Sequence, residues 1–262
     1  MKIATEMNLK TFLAMLHRDA HVARRNFIPL LVQTLLQPMM FVFIFGRVMT
    51  SSGFMPPEYK SLLLPGIIAI SMVISGAWAV AMPLISEFQF TKEIEDRLLA
   101  PLEIEWLAIE KVVAGMVQAL LAGLVVIPMA WLIMGKGVSL SGDHIALFTV
   151  LALLVSLLAS AVGLTLGSSV GPQHIGLMFS LVFAPMIFFG CTYYPWEALR
   201  KFPILSRAVL VNPVVYASEG FRSALVPQFH HLPAGRLVAG LILFNVLFLT
   251  AGLWQFRRKA LT

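Results

Sequence analysis

Residues 145–170, IALFTVLALLVSLLASAVGLTLGSSV, run for 26 positions without an Asp, Glu, Lys or Arg. A helix rises 1.5 Å per residue, so this stretch reaches about 39 Å, beyond the ~30 Å hydrocarbon core of a bilayer. A soluble domain would have to bury such a helix on every side. The stretch therefore reads as a membrane span. Working outward, five further apolar segments appear at 27–46, 62–86, 112–134, 174–192 and 237–256, each free of Asp, Glu, Lys and Arg across its apolar core. Only Gly171-Pro172-Gln173 separates the fourth span from the fifth, and Pro172 ends a helix, so two spans are expected there. The expectation is an all-α polytopic membrane protein with six transmembrane helices, forming a single transmembrane domain over residues 1–262.

Composition agrees with that reading. Hydrophobic residues make up 59% of the chain and charged residues 12%, against about 45–50% and about 25% in soluble domains. The mean hydropathy is +0.87. A soluble enzyme, a disordered chain and a nucleic-acid-binding domain are excluded, so the net charge of +6 reads as membrane topology. Lys2, Lys10, Arg18, Arg24 and Arg25 precede the first span; Lys92, Arg97 and Lys111 lie between the second and third; Arg257, Arg258 and Lys259 follow the last. The opposite short loops hold Arg47, Lys60 and Lys136, and five more basic residues lie in or beside the long fifth loop, where the rule counts for less. Both termini are expected to be cytoplasmic. No cleavable signal peptide is expected, because His17, Arg18, Asp19, His21, Arg24 and Arg25 interrupt the first apolar stretch. One cysteine, Cys191, excludes an internal disulfide and a cysteine-based metal cluster.

Three segments outside the spans have helical or interfacial patterns. In 8–26, Leu9, Phe12, Leu13, Leu16, Ala20 and Ala23 fall at helical spacing with Lys10, Arg18, Arg24 and Arg25 on other faces. That is an amphipathic helix for the cytoplasmic interface, serving as an anchor or as a docking element. Segment 87–111 carries seven of the 13 acidic residues. Within it Thr91 is placed to cap a short helix whose first turns hold Glu93, Glu95 and Asp96, where the helix dipole favours acids. Ile94, Leu98 and Leu99 share one apolar face, and Pro101 marks the stop. A short helix with an apolar face between two spans reads as a plug for another protein's groove; a solvated loop is the competing reading. In the third segment, 193–233, the apolar run Phe202–Tyr216 is too short to span and is broken by Pro203 and Pro213. Two short re-entrant outer helices are expected, with Tyr193, Tyr194, Trp196 and Tyr216 at the outer boundary.

Ionisable residues inside a bilayer mark ion relays and coupled transport. None falls in the six apolar cores, which argues against a proton- or sodium-coupled carrier, an intramembrane protease and a charge-selective channel. The pair His230-His231 lacks partners at zinc-ligand spacing. There is no phosphate-binding loop: Gly135-Lys136 is followed by Gly137 and lacks the upstream glycine. Active transport by this chain would need energy from a partner. Small residues recur four apart at Ala159, Gly163, Gly167 and Gly171, and at Gly115, Ala119 and Gly123, either as contacts within the chain or as a dimer seam. Prolines 29, 38, 65, 83, 128 and 185 predict kinked or interrupted spans.

Two local motifs carry a resemblance. Glu93-Ile94-Glu95-Asp96-Arg97-Leu98-Leu99-Ala100-Pro101, with Lys111 at the head of the third span, and Asn212-Pro213-Val214-Val215-Tyr216, followed by Glu219 and Arg222, both resemble stretches of the membrane subunits of ABC-2 type exporters. The resemblance covers nearly the whole chain. It departs from the commoner pattern in lacking a glycine directly after Arg97. It implies a homodimeric permease of the bacterial cytoplasmic (inner) membrane that binds two copies of a separate ABC ATPase. It also implies that this chain holds no cofactor, with ATP and Mg on the partner subunit. Residues 87–101 would then form the coupling helix, with Glu93, Ile94, Glu95, Asp96, Arg97, Leu98 and Leu99 in the ATPase cleft, flanked by the 8–26 helix. Spans one, two and five line the path in such permeases, and Phe41, Phe45, Trp78, Met82, Phe183 and Phe189 supply apolar and aromatic surface there, although each also fits a packing or lipid-facing role. The expected cargo is hydrophobic or amphipathic, drug- or lipid-like, with a lipid-linked glycan as the alternative. A membrane-embedded lipid-modifying enzyme and a scaffold without a path are the competing classes; no D-x-x-D-G spacing supports the enzyme.

Overall fold

The computed structural model describes residue 36 and residues 38–89, 104–135 and 138–260. Among these residues the chain is helical, with turns and no strand. In chain order the main helices are α1 (Pro38–Ser51), α2 (Tyr59–Gln89), α3 (Ile104–Met134) and α4 (Ile145–Ser169). There follow α5 (Pro172–Phe188), α6 (Pro203–Ala208), α7 (Pro213–Leu225) and α8 (Ala234–Ala260). Helices α2, α3, α4 and α8 are each long and apolar enough to cross a membrane. The apolar helices α1 and α5 are shorter. The interface helix expected at 8–26, the start of the first expected span and the 90–101 part of the expected coupling helix lie outside the described residues.

Helix ends depart from the hydropathy limits in a consistent way. α2 extends past the expected 62–86 to take in Lys60 and Glu87, so Glu87–Gln89 continue the long helix instead of opening a separate one. α3 begins eight residues before the expected 112 and includes Glu105, Glu110 and Lys111. Hydropathy stops at the first charge, whereas the backbone ladder needs no lipid to continue. At the other extreme, α5 ends at Phe188, short of the expected 192. The chain turns there, Cys191 takes a positive φ of 51°, and the Thr192 carbonyl is used elsewhere. The break at Gly171-Pro172 is as expected: Val170 and Gly171 are extended, and Pro172 opens the next helix.

α2 is apolar on every face and sits at the centre, packed against α3, α4 and α7. Small residues make the closest contacts. A Cβ on Gly163 would lie 2.5 Å from the Ala77 carbonyl oxygen, and one on Gly115 2.4 Å from Val80. Gly167 lies against Ala81, and Gly123 against Met72. Ala159, Gly163 and Gly167 therefore form a seam of α4 on α2, and Gly115, Ala119 and Gly123 one of α3 on α2, whereas Gly171 lies beyond α4 against Gln173. Ser156, Ser160 and Thr165 in α4 bond back to its own carbonyls, Ser160 to Ser156 at 2.9 Å. Two cations close the end of α3: Arg47 donates to the Ile133 carbonyl at 2.9 Å and Lys60 to that of Met134 at 3.0 Å.

Candidate functional site

The motif Asn212-Pro213-Val214-Val215-Tyr216 builds the start of α7. Asn212 is its N-cap: Oδ1 accepts from the Val214 amide at 3.0 Å, and Pro213 fills the first helical position. Nδ2 of Asn212 donates to the Met186 carbonyl of α5 at 3.0 Å. One turn further, the Tyr216 hydroxyl donates to the Leu210 carbonyl at 3.0 Å. Glu219 and Arg222 then face each other at 2.7 Å, at 0% and 1% exposure. Arg222 also donates through Nε to the Leu62 carbonyl at 3.1 Å and through Nη2 to that of Thr192 at 2.9 Å. Glu219 accepts from the Trp196 amide at 3.0 Å.

One guanidinium thus ties α7 to the first turns of α2 and to the chain after α5. The approach works because residue 66 is glycine: a Cβ there would sit 1.9 Å from the Thr192 carbonyl oxygen and 2.9 Å from the Arg222 guanidinium. Beside this network the Tyr194 hydroxyl donates to the Phe188 carbonyl at 2.8 Å. Burial pushes that phenol above its ordinary range, so it stays a neutral donor.

The six aromatic and apolar path residues fall into separate groups. Phe41 and Phe45 of α1 stack at 5.9 Å and share Tyr193, whose ring centroid is 4.5 Å from that of Phe41. Trp78 of α2 stacks on Phe183 of α5 at 5.8 Å, and Phe183 is buried. Met82 is partly exposed on α2. Phe189 lines a cavity of about 430 Å³ with Pro185, Met186, Val211 and Phe248. Sequence reading missed the roles of Tyr193 and Phe248, since nothing local ties a loop tyrosine to α1 or a residue of α8 to α5.

At the opposite end, where α2 stops and α3 starts, charges are buried. Lys111 meets Glu87 at 2.8 Å and Glu110 at 4.0 Å. Beside them Leu84, Leu107, Ala108, Val112, Leu164 and Phe256 form a compact apolar cluster. These two stems enclose the segment holding Glu93, Ile94, Glu95, Asp96, Arg97, Leu98 and Leu99, all seven of which lie outside the described residues.

The family model of the ABC-2 type transporters matches residues 10–226. This chain belongs to the ABC-2 type transporter family. It is 27% identical over 234 residues to the inner membrane transport permease YadH of Escherichia coli strain K12, covering 85% of this chain and 87% of that one. The YadH proteins of Escherichia coli O157:H7 and Shigella flexneri match to the same extent. The chain is accordingly a membrane transport permease and not an enzyme, and its family implies a partnering ABC ATPase. Among the described residues no group of His, Cys, Asp and Glu has the geometry to hold a metal ion.

Proposed function

We propose that this ABC-2 permease exports a hydrophobic or amphipathic molecule across the cytoplasmic membrane, driven by ATP hydrolysis on a separate subunit. In this reading the chain makes six spans with both termini in the cytoplasm, the Gln89 end of α2 faces the cytoplasm, and α6 and α7 dip into the membrane from outside. Two copies pair and bind two ATPases through the 90–101 segment. The observation that carries the reading is the buried Glu87–Lys111 pair, 2.8 Å apart, at the two stems of that segment. Taking two charges out of water is costly unless they are well paired. Here they lock together the helix ends that a push on the segment would move first. That the sequence has no phosphate loop supports the reading that ATP binds to the partner. Exposed apolar side chains on α1 (Met40, Phe43) and α5 (Leu181, Phe188) are surfaces that lipid or a second copy would cover.

An apolar cargo is favoured by the cavity beside Phe189 and by the absence of Asp, Glu, Lys and Arg from the middle of α2, α3 and α4. Stacked rings would also suit a lipid-linked glycan, the second reading. The test is reconstitution of the permease with its ATPase in liposomes, followed by ATP-dependent accumulation of a lipophilic fluorescent cation. Accumulation abolished by vanadate supports the reading. Vanadate-sensitive ATP turnover that only a lipid-linked glycan stimulates, with no movement of the cation, would favour the glycan.

A further inference from the structure

Helix α8 contributes Phe248 to the cavity and Phe256 to the cluster at the stems, and so meets both ends of the molecule. At the stem end, Phe256 is buried and stands edge-on to Phe88 of α2, centroids 5.6 Å apart. Lys259 Nζ lies 4.7 Å above the same Phe88 ring, and Arg257 reaches Glu105 of α3 at 3.5 Å. The last turns of α8 therefore touch both helices that enclose the 90–101 segment. Along its middle, α8 is fastened to α4. Asn245 donates to the Leu154 carbonyl at 3.0 Å, Thr165 to that of Phe248 at 2.9 Å, and Gly252 lies against Leu164. At the far end Gly240 sits so close to Tyr216 of α7 that a Cβ would lie 2.3 Å from the ring, and Phe244 packs on the same ring at 5.6 Å. Tyr216 is bonded to Leu210, and Phe248 lines the cavity with Val211.

We propose that α8 is the rod that carries a displacement of the stems to α7 and the cavity. It is a positioning element whose one side chain on the cavity is Phe248, and the proposal rests on the permease reading. A helix transmits a push best where its ladder is unbroken. α2 contains Pro65 and Pro83, and α3 contains Pro128, each removing a ladder bond. α8 has no proline from Ala234 to Ala260. Coupling between distant sites needs a contiguous, packed route, and α8 supplies one with named contacts at each end.

The test uses the full chain with its ATPase, carrying an environment-sensitive fluorophore on Val211→Cys, at an exposed position on the cavity. The readout is the fluorescence change between nucleotide-free and ATP–vanadate states. In Phe256→Ala and in Gly240→Val this change is expected to fall at least fivefold while ATP turnover stays within twofold; Leu247→Ala, exposed on the same helix, keeps both. Arg257→Glu alters only an exposed pair, so folding is preserved; it is expected to halve the change, and adding Glu105→Arg restores it. Full amplitude in Phe256→Ala and Gly240→Val, or in Arg257→Glu should the other two fail to assemble, overturns the rod. Normal permease-dependent turnover with no signal at Val211 in the parent also overturns the rod alone. A parent with neither turnover nor signal overturns the permease reading and the rod together.

Discussion

Helices α2 and α5 are both apolar, yet the molecule treats them differently. In α2, 78% of the most apolar stretch is buried, and glycines or alanines of α3 and α4 press directly on its backbone. α5 is anchored on one face by Met178, Phe183 and Ile187 while Leu177, Leu181 and Phe188 stay exposed. It also contains a π-helical turn, Phe179–Phe183, as does α1 at Val42–Val48. Such turns mark strained or functional places in helices. Helices seated through backbone-to-backbone contact move as one body, while those held by side chains on one face re-seat more readily. The centre of the bundle is thus packed as one body, whereas α5 is held along one face.

The largest expected effect falls on the central body. Arg222→Met leaves the buried Glu219 carboxylate without its cation, and such a loss costs about 3–5 kcal/mol. A large fall in the detergent unfolding temperature is expected; an unchanged one would show that the network around α7 is dispensable. The next contrast sets the two regions side by side. Gly163→Val drives a side chain into the Ala77 backbone, and overpacking of this kind costs about 1–3 kcal/mol. Gly176→Val in α5 has nothing within 4 Å of its Cβ and should leave the yield of monodisperse protein unchanged. Equal losses from both would erase the distinction between centre and periphery. The smallest effect belongs to Glu197–Arg200, an i,i+3 pair at 2.8 Å like Glu219–Arg222 but with Arg200 64% exposed. Arg200→Ala should shift stability by no more than about 1 kcal/mol, seen as an unfolding curve within error of the parent.

The same contrast explains what was readable beforehand. The long central helices show in the sequence because 62–86 and 145–170 are uncharged throughout. The spacing of Gly115, Ala119 and Gly123 announced a close helix contact, but the side it faced depended on α2, whose sequence carries no matching stripe. The Arg222 network was invisible, because its Leu62 partner is 160 residues away and an arginine in a loop motif resembles any solvated cation. The helices run past the apolar limits where a charge enters a buried pair, as at Glu87 and Lys111, since hydropathy treats each charge as a boundary. α5 ends at Phe188, and beyond it Thr192 gives its carbonyl to Arg222, a tertiary contact that no local pattern shows.

In the proposed mechanism force enters through the 90–101 segment, and ATP turnover of the reconstituted complex reports whether it does. Burying a leucine is worth about 1.5–3 kcal/mol, whereas an exposed ion pair is worth roughly 0–1 kcal/mol. The permease alone should turn over no ATP, and the parent complex should hydrolyse it. Leu98→Ala should lower permease-linked turnover several-fold, and Glu95→Ala should stay within twofold, with membrane insertion intact in both. Parent-level turnover in Leu98→Ala, or robust hydrolysis by the purified permease alone, would contradict the claim.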